Sequence, residues 1–235
     1  MDTPHFHMPA LADAPRILTL PEEVSHHAVS VLRMQAGDRL VLVDGMGRKA
    51  EVRLLSPHRK RAEAEIVEVS FSEDSRRAVT VAVSPRKNPS RFEWMLEKAA
   101  EIGVREVVPL LCHRTEKKGL RMDRLQAVCT SAMLQSKQSW MTVVGEPVPF
   151  EQHLARTGFK ARLIAHCLPG SPLSVPDLSG DSFPIDMLIG PEGDFTRDEV
   201  SLALASGFRP VGLGPTRLRT ETAALAAAVL LCIRG

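Results

Sequence analysis

Tyrosine is absent from this chain of 235 residues, and only 2 Trp and 8 Phe add aromatic rings. Bases of single-stranded nucleic acid are commonly gripped by stacking on such rings, so the chain is poorly supplied for that mode of recognition. Cysteine is scarce too. Cys112, Cys129, Cys167 and Cys232 stand far apart with no Cys-x-x-Cys spacing, which argues against a zinc ribbon, a redox motif or a disulfide framework and predicts buried, reduced thiols. No window approaches the roughly 20 consecutive apolar residues of a membrane-spanning helix. The N-terminus, with Asp2, His5 and His7, lacks the basic-then-apolar order of a signal peptide. A soluble, cytoplasmic protein without membrane contact is expected. Neither a G-x-S-x-G elbow nor a G-x-x-x-x-G-K-[ST] loop occurs, which leaves acyl transfer and P-loop chemistry without support. The pairs His5/His7 and His26/His27 have no companion cysteine or carboxylate at a familiar ligand spacing, so no metal is expected.

What is present is an ordinary globular balance, 44% hydrophobic and 25% charged, enough to bury a real core in one large or two modest domains. The net charge of +2 does not by itself mark a nucleic-acid binder. Its distribution is uneven, with His58-Arg59-Lys60-Arg61, Arg76-Arg77, Arg86-Lys87 and the stretch from Arg114 to Arg124 as local basic runs. From about residue 16 to 70 short alternating segments prevail: Arg39 to Val43, a turn at Asp44-Gly45-Met46-Gly47, Ala50 to Leu55, and Ala62 to Val67, with one helix near Glu22 to Leu32. These predict a small β-barrel-like domain. The polar stretch from Ser70 to Arg77 marks the boundary, giving domains over 1–72 and 73–235. Beyond it, strand-like runs at 79–83, 106–111, 162–165, 186–189 and 208–213 alternate with helical ones from Arg91, Met122, Arg197 and Glu221. That alternation predicts an α/β domain with a mainly parallel sheet.

Ser90 with Glu93, and Thr196 with Glu199, read as capping boxes, and Gly103 and Gly207 as left-handed helix stops. Phe92, Leu96, Ala99 and Ile102 form one core-facing stripe, with Trp94 also read as a packing residue. Gly45 to Ala50 matches G-x-G-x-x-A, but a strand follows it where a dinucleotide site needs a helix, so it reads as a hairpin turn.

Two loops carry the chemistry. Asp186 to Thr196 is a buried-type strand running into Gly190-Pro191-Glu192-Gly193 and then a capped helix; in a parallel sheet, ligands bind at such strand ends. Gly190 and Gly193 let a ligand approach the backbone and Pro191 stiffens the turn. The second loop, Val211 to Ala224, also leaves a strand and enters a helix. That helix is Ala- and Leu-rich and expected to be buried, yet Arg217, Arg219, Thr220, Glu221 and Thr222 crowd its entrance. Capping by Thr220 accounts for one of them. Two such loops on neighbouring strands form one pocket.

Leu188-Ile-Gly-Pro-Glu-Gly193, together with Leu213-Gly-x-x-x-Leu-Arg-x-Glu-Thr-Ala223, resembles the signature of the ribosomal RNA small subunit methyltransferase E family, a branch of the SPOUT class. His27-x-x-Ser-Val-Leu-Arg33, Gly37-Asp38, Arg91-Phe-Glu-Trp94, Glu97-Lys98-Ala99, Glu101-x-Gly103, Pro109 and Arg114 extend the likeness through nearly the whole chain. The resemblance implies an N-terminal PUA-like RNA-binding β-barrel and a C-terminal SPOUT α/β domain with a deep trefoil knot, an exception to the rule against threaded chains. It also implies a homodimer and S-adenosylmethionine-dependent methylation of N3 of one uridine in 16S ribosomal RNA of the small subunit. Ribose methyltransferases of the class share the first loop but have an Asn-centred last motif. Three departures stand out: Asp194 where the family usually has a further glycine, His5 near its usual N-terminal arginine, and Leu134-Gln-Ser-Lys-Gln138 in place of Glu-Gln-x-x-Arg, with Lys137 as a point charge.

On this reading His166, Leu188, Gly190, Gly193, Leu213, Gly214, Leu218, Thr220 and Ala223 form the cofactor site. Arg219 is the candidate for stabilising charge on the uracil, and Glu221 is either the base or a helix-start carboxylate. Arg33, Arg86, Lys87, Arg91, Arg114 and Lys137 are the expected RNA contacts. A SPOUT enzyme acting on another RNA or atom, and an inert RNA-binding assembly factor, are the alternatives.

Overall fold

The computed structural model describes residues 3–116, 119–167 and 183–233. It divides into two compact units, Met1–Ser75 with Met133–Met141, and Arg76–Ala132 with Thr142–Gly235.

The first unit contains β1 (His5–His7), β2 (Ile17–Thr19), α1 (Glu22–His26), β3 (Arg39–Val43), β4 (Arg48–Ser56) and β5 (Glu63–Phe71). Its sheet runs β1-β3-β4-β5-β2, antiparallel except where β1 joins β3. Alternation sets the core: Leu40, Leu42, Val52, Leu54 and Ala64 all point inward and are fully buried. The expected helix over 22–32 changes character half-way, since α1 gives way to a wider π turn over His27–Val31. In the tight turn before β4 the buried Asp44 carboxylate accepts from the N–H groups of Met46 (2.7 Å) and Arg48 (3.0 Å), and Gly45 and Gly47 have φ of 77° and 97°. The glycines there serve a hairpin.

Segment Met133–Met141 groups with this unit although it lies far beyond the polar stretch from Ser70 to Arg77. The Gly47 N–H donates to the Ser139 carbonyl (2.9 Å), and Trp140 Nε1 donates to the Ser72 carbonyl (2.8 Å) while its ring meets Phe71 edge-on. Met133 is buried with Val41 and Val43.

The second unit contains β6 (Val79–Val83), α2 (Pro89–Ile102), β7 (Glu106–Leu111), α3 (Met122–Gln135, whose last turn belongs to the first unit), β8 (Val143–Val144), β9 (Val148–Pro149) and α4 (Phe150–Leu154). It continues with β10 (Ala161–Ala165), β11 (Ile185–Ile189), α5 (Arg197–Ala205), β12 (Arg209–Val211) and α6 (Thr220–Cys232). The sheet runs β12-β10-β11-β6-β7-β8, with β9 on β7, and every pairing is parallel. All five residues of β6 and of β11 are buried, the mark of strands covered on both faces.

Helix ends follow the local chemistry with one shift. Thr196 and Glu199 form the expected reciprocal capping box. Ser90 and Glu93 do not: Pro89 occupies the first helical position, Asn88 becomes the cap by accepting from the Ser90 N–H (3.0 Å), and Glu93 pairs with Arg124 instead. Gly103 and Gly207 take the left-handed stops at φ of 92° and 87°. Phe92 is buried as expected, whereas Trp94 is 44% exposed, because two residues on, a helix has turned through about 200° and faces solvent. The thiols of Cys112 and Cys129 are buried, but Cys167 is exposed, against the expectation for all four. α6 buries one face through Ala224, Ala227, Ala228 and Leu231 and leaves Val229 exposed on the other.

Candidate active site

Parallel pairing brings the carboxyl ends of β6, β11, β10 and β12 to one edge, so the loops that leave them meet there. β10 lies between β11 and β12. The two sequence-predicted loops therefore leave strands that are not direct neighbours, and His166 and Cys167, at the end of β10, fill the place between them. Together they line a cavity of about 860 Å³. Its walls include Ile189, Gly190, Pro191 and Glu192 from one loop, Val211 to Thr220 from the other, and Arg86 from the loop after β6.

A network beneath the floor holds these loops. The Ser84 N–H donates to the Ile189 carbonyl (3.0 Å), and the Ser84 hydroxyl meets that of Thr115 at 2.8 Å. Thr115 also accepts from the Cys112 N–H (2.8 Å), and the His113 N–H donates to buried Glu199 (2.7 Å). Arg114 donates to the Gly193 carbonyl. Below β11, His153 Nε2 and Asp186 pair at 2.9 Å, both wholly buried.

Asp194 occupies a left-handed conformation, φ 64°, where a glycine would be unstrained. Its two carboxylate oxygens accept from the N–H groups of Phe195 (2.8 Å) and Cys167 (2.9 Å). The departure noted in the sequence is thus a device: a backbone that glycine would follow freely is held by an acid whose side chain ties β10's outgoing loop to the Gly-Pro-Glu-Gly loop. Burial pushes the neighbouring His166 imidazole below its ordinary value, against the opposing pull of the Asp194 carboxylate.

Of the residues assigned to a cofactor, His166, Gly190, Leu213, Gly214, Leu218, Thr220 and Ala223 line the cavity. Leu188 sits one layer below, fully buried in the core, and Gly193 turns towards Arg114. Thr220 does not cap α6; the cap position is Arg219, with no side-chain cap bond. Arg219 and Arg217 are exposed on the cavity rim, and among the described residues neither side chain has a partner. Glu221 is 4% exposed and paired to Arg86, which also pairs with Glu192. Of the expected RNA contacts, Arg33 and Lys137 lie in the first unit, each exposed and at positive φ. Lys87, Arg91 and Arg114 are exposed in the second, and Arg86 is drawn into the cavity wall. Pairwise meetings such as Arg86 with Glu221, 135 residues apart, carry no periodic or motif signal.

A parallel α/β unit with a glycine-rich cavity at its strand ends, preceded by a small β unit, is the architecture of an RNA methyltransferase with a PUA domain. The RNA methyltransferase domain family matches residues 73–232 and the RNA methyltransferase PUA domain family matches residues 20–67. The chain is 33% identical to the ribosomal RNA small subunit methyltransferase E of Synechocystis over 88% of its length and 69% of the relative's. With that of Bacillus subtilis it shares 27% identity over 92% and 89%. The structure of ribosomal RNA small subunit methyltransferase E from Neisseria gonorrhoeae bound to S-adenosylmethionine superposes with a TM-score of 0.85 at 29% identity, covering 97% of this chain and 96% of that one. The chain belongs to the ribosomal RNA small subunit methyltransferase E family.

Proposed function

We propose that the protein transfers a methyl group from S-adenosylmethionine to N3 of one uridine in the 16S RNA of the small ribosomal subunit. The observation that carries this is the cavity in which the loops after β10, β11 and β12 converge, in a chain of this family. Its contents suit the cofactor. About 860 Å³ falls within the roughly 300–1,000 Å³ of small-molecule sites, and the apolar residues Ile189, Leu213, Leu218 and Ala223 line it together with Gly190, Gly212 and Gly214. Such a wall offers apolar contact for an adenine and amide groups for its edges.

When bound, S-adenosylmethionine supplies an already activated sulfonium methyl, so the protein's work is alignment and help with the departing N3 proton. In this reading backbone groups of Gly190, Leu213 and Leu218 hold the cofactor, Leu188 fixes the strand beneath, and His166 closes the side between the loops. Arg219, unpartnered on the rim, donates to a uracil carbonyl or an RNA phosphate and stabilises the charge that grows as N3 loses its proton. Glu221 lies behind the wall with its carboxylate engaged by Arg86, so it serves as a helix-start carboxylate.

In this reading the PUA unit, residues 1–72, holds RNA through cations such as Arg33, while Lys87, Arg91, Arg114 and Lys137 add phosphate contacts. The SPOUT knot, the closed barrel and the homodimer complete the proposal; exposed Val229 and Ile233 on and just beyond α6 leave apolar surface for a second copy. The test is incubation with S-adenosylmethionine and unmethylated small subunits, free 16S RNA or tRNA, with the methyl group mapped by mass spectrometry. Methyl on a single 16S uridine base is expected. Transfer to ribose or tRNA, or none at all, overturns the reading.

A further inference from the structure

Arg86 leaves β6 three residues after its end, and only 15% of its side chain is exposed. One terminal nitrogen pairs with Glu192 of the Gly-Pro-Glu-Gly loop, which is 41% exposed, and the other with Glu221 in the first turn of α6, which is 4% exposed. Nε is buried with no partner among the described residues. Burying a guanidinium with a donor unmet is costly, and two carboxylates from different loops on one guanidinium is an arrangement that lysine, a point charge, cannot reproduce. The flanking Lys87 shows the contrast: 82% exposed, it meets Glu116 only at 3.6 Å.

We infer that Arg86 is a positioning residue of the methyl-transfer site, a clamp that ties Glu192 to Glu221 and so sets the spacing of the two cavity-forming loops. This rests on the function proposed above. The inner pair fixes the entrance of α6, and with it Arg219 and Leu218. The outer pair holds the Gly-Pro-Glu-Gly loop across from them. Arg86 is thereby removed from the set of phosphate-contacting cations, and the Glu221 carboxylate is kept for the clamp.

The experiment uses the full-length protein and the variants Arg86→Met, Arg86→Lys, Glu192→Gln and Glu221→Gln. Calorimetry with S-adenosylmethionine and with S-adenosylhomocysteine, RNA affinity against salt, thermal unfolding, and kcat at saturating cofactor are measured for each. Arg86→Met is expected to weaken both cofactor ligands at least tenfold with the salt slope of RNA binding unchanged, Arg86→Lys to restore this only in part, and Glu192→Gln to give a smaller loss in the same direction. Glu221→Gln should lose affinity alike, with any fall in kcat at saturation accompanying that loss rather than replacing it, and combining it with Arg86→Met should add little to either. If Arg86→Met will not fold, exposed Glu192→Gln carries the test. The inference falls if Arg86→Met leaves ligand affinity intact while the salt slope of RNA binding drops by about one, or if Glu221→Gln abolishes kcat with affinity unchanged. Failure of the wild type to bind S-adenosylmethionine would instead overturn the proposed function itself.

Discussion

Asp194 offers a quantitative test of how the cavity wall is held. Replacement by alanine removes two acceptors, from Phe195 N–H at 2.8 Å and Cys167 N–H at 2.9 Å. In this half-buried setting each contributes about 1 kcal/mol, so about 2 kcal/mol is lost. Alanine must still adopt φ near 64°, at about 1 kcal/mol or more. Glycine loses the same two bonds but relieves that strain, so the net losses are about 1 kcal/mol for Asp194→Gly and about 2–3 kcal/mol for Asp194→Ala. Freed from its tie, the segment carrying His166 and Cys167 moves more, and both variants should bind S-adenosylmethionine more weakly than the wild type. Urea unfolding gives the stabilities, and isothermal calorimetry the affinities. The reasoning is refuted if alanine is as well tolerated as glycine, for then the backbone is not strained, or if both match the wild type, for then the carboxylate ties nothing.

Three more outcomes follow from the same geometry. Arg219→Ala should leave cofactor affinity within a few fold and reduce methylation by about a hundredfold or more, as for loss of a donor to developing charge; equal loss of both on calorimetry and methyl transfer would show the arginine holds the cofactor instead. Gly47→Ala should destabilise the first unit by about 2–4 kcal/mol, since its φ is 97° and a Cβ would come within 2.6 Å of the Ser72 carbonyl and 2.8 Å of the Trp140 ring; unchanged urea unfolding would contradict this. Burial lowers the His166 value from about 6.5, so the unfolded chain takes up this proton first as pH falls. The contribution of His166 to stability is therefore complete above pH 6.5 and lost as pH drops through its folded value, and His166→Gln should flatten that slope in unfolding experiments between pH 7.5 and 5; an identical slope in the variant would refute the assignment.

Features recorded locally in the sequence were legible from it. Alternation gave the hairpin of β3 and β4, the apolar runs gave β6, β7, β10 and β11, and the Thr196–Glu199 box and Gly207 marked both ends of α5, because each depends on residues within one or two turns of each other. The cavity was legible for the same reason: a Gly-rich loop after a buried strand must emerge at the carboxyl edge of a parallel sheet, wherever the strand lies in the order. What escaped depends on contacts between distant segments. His5–His7 is too short to show a period, and becomes a strand by pairing with β3. Met133–Met141 joins the first unit because the Gly47 N–H donates to its backbone and the Ser72 carbonyl accepts from Trp140, which no boundary drawn from composition can foresee. Arg86 looked like one more surface cation beside Lys87, and the difference between them is made by Glu192 and Glu221, more than 100 residues on. Asp194 was visible as a departure, but its role required both its positive φ and the position of Cys167. In this chain, then, the local pattern specifies which loops form the cavity, and long-range charge pairs specify how far apart those loops stand.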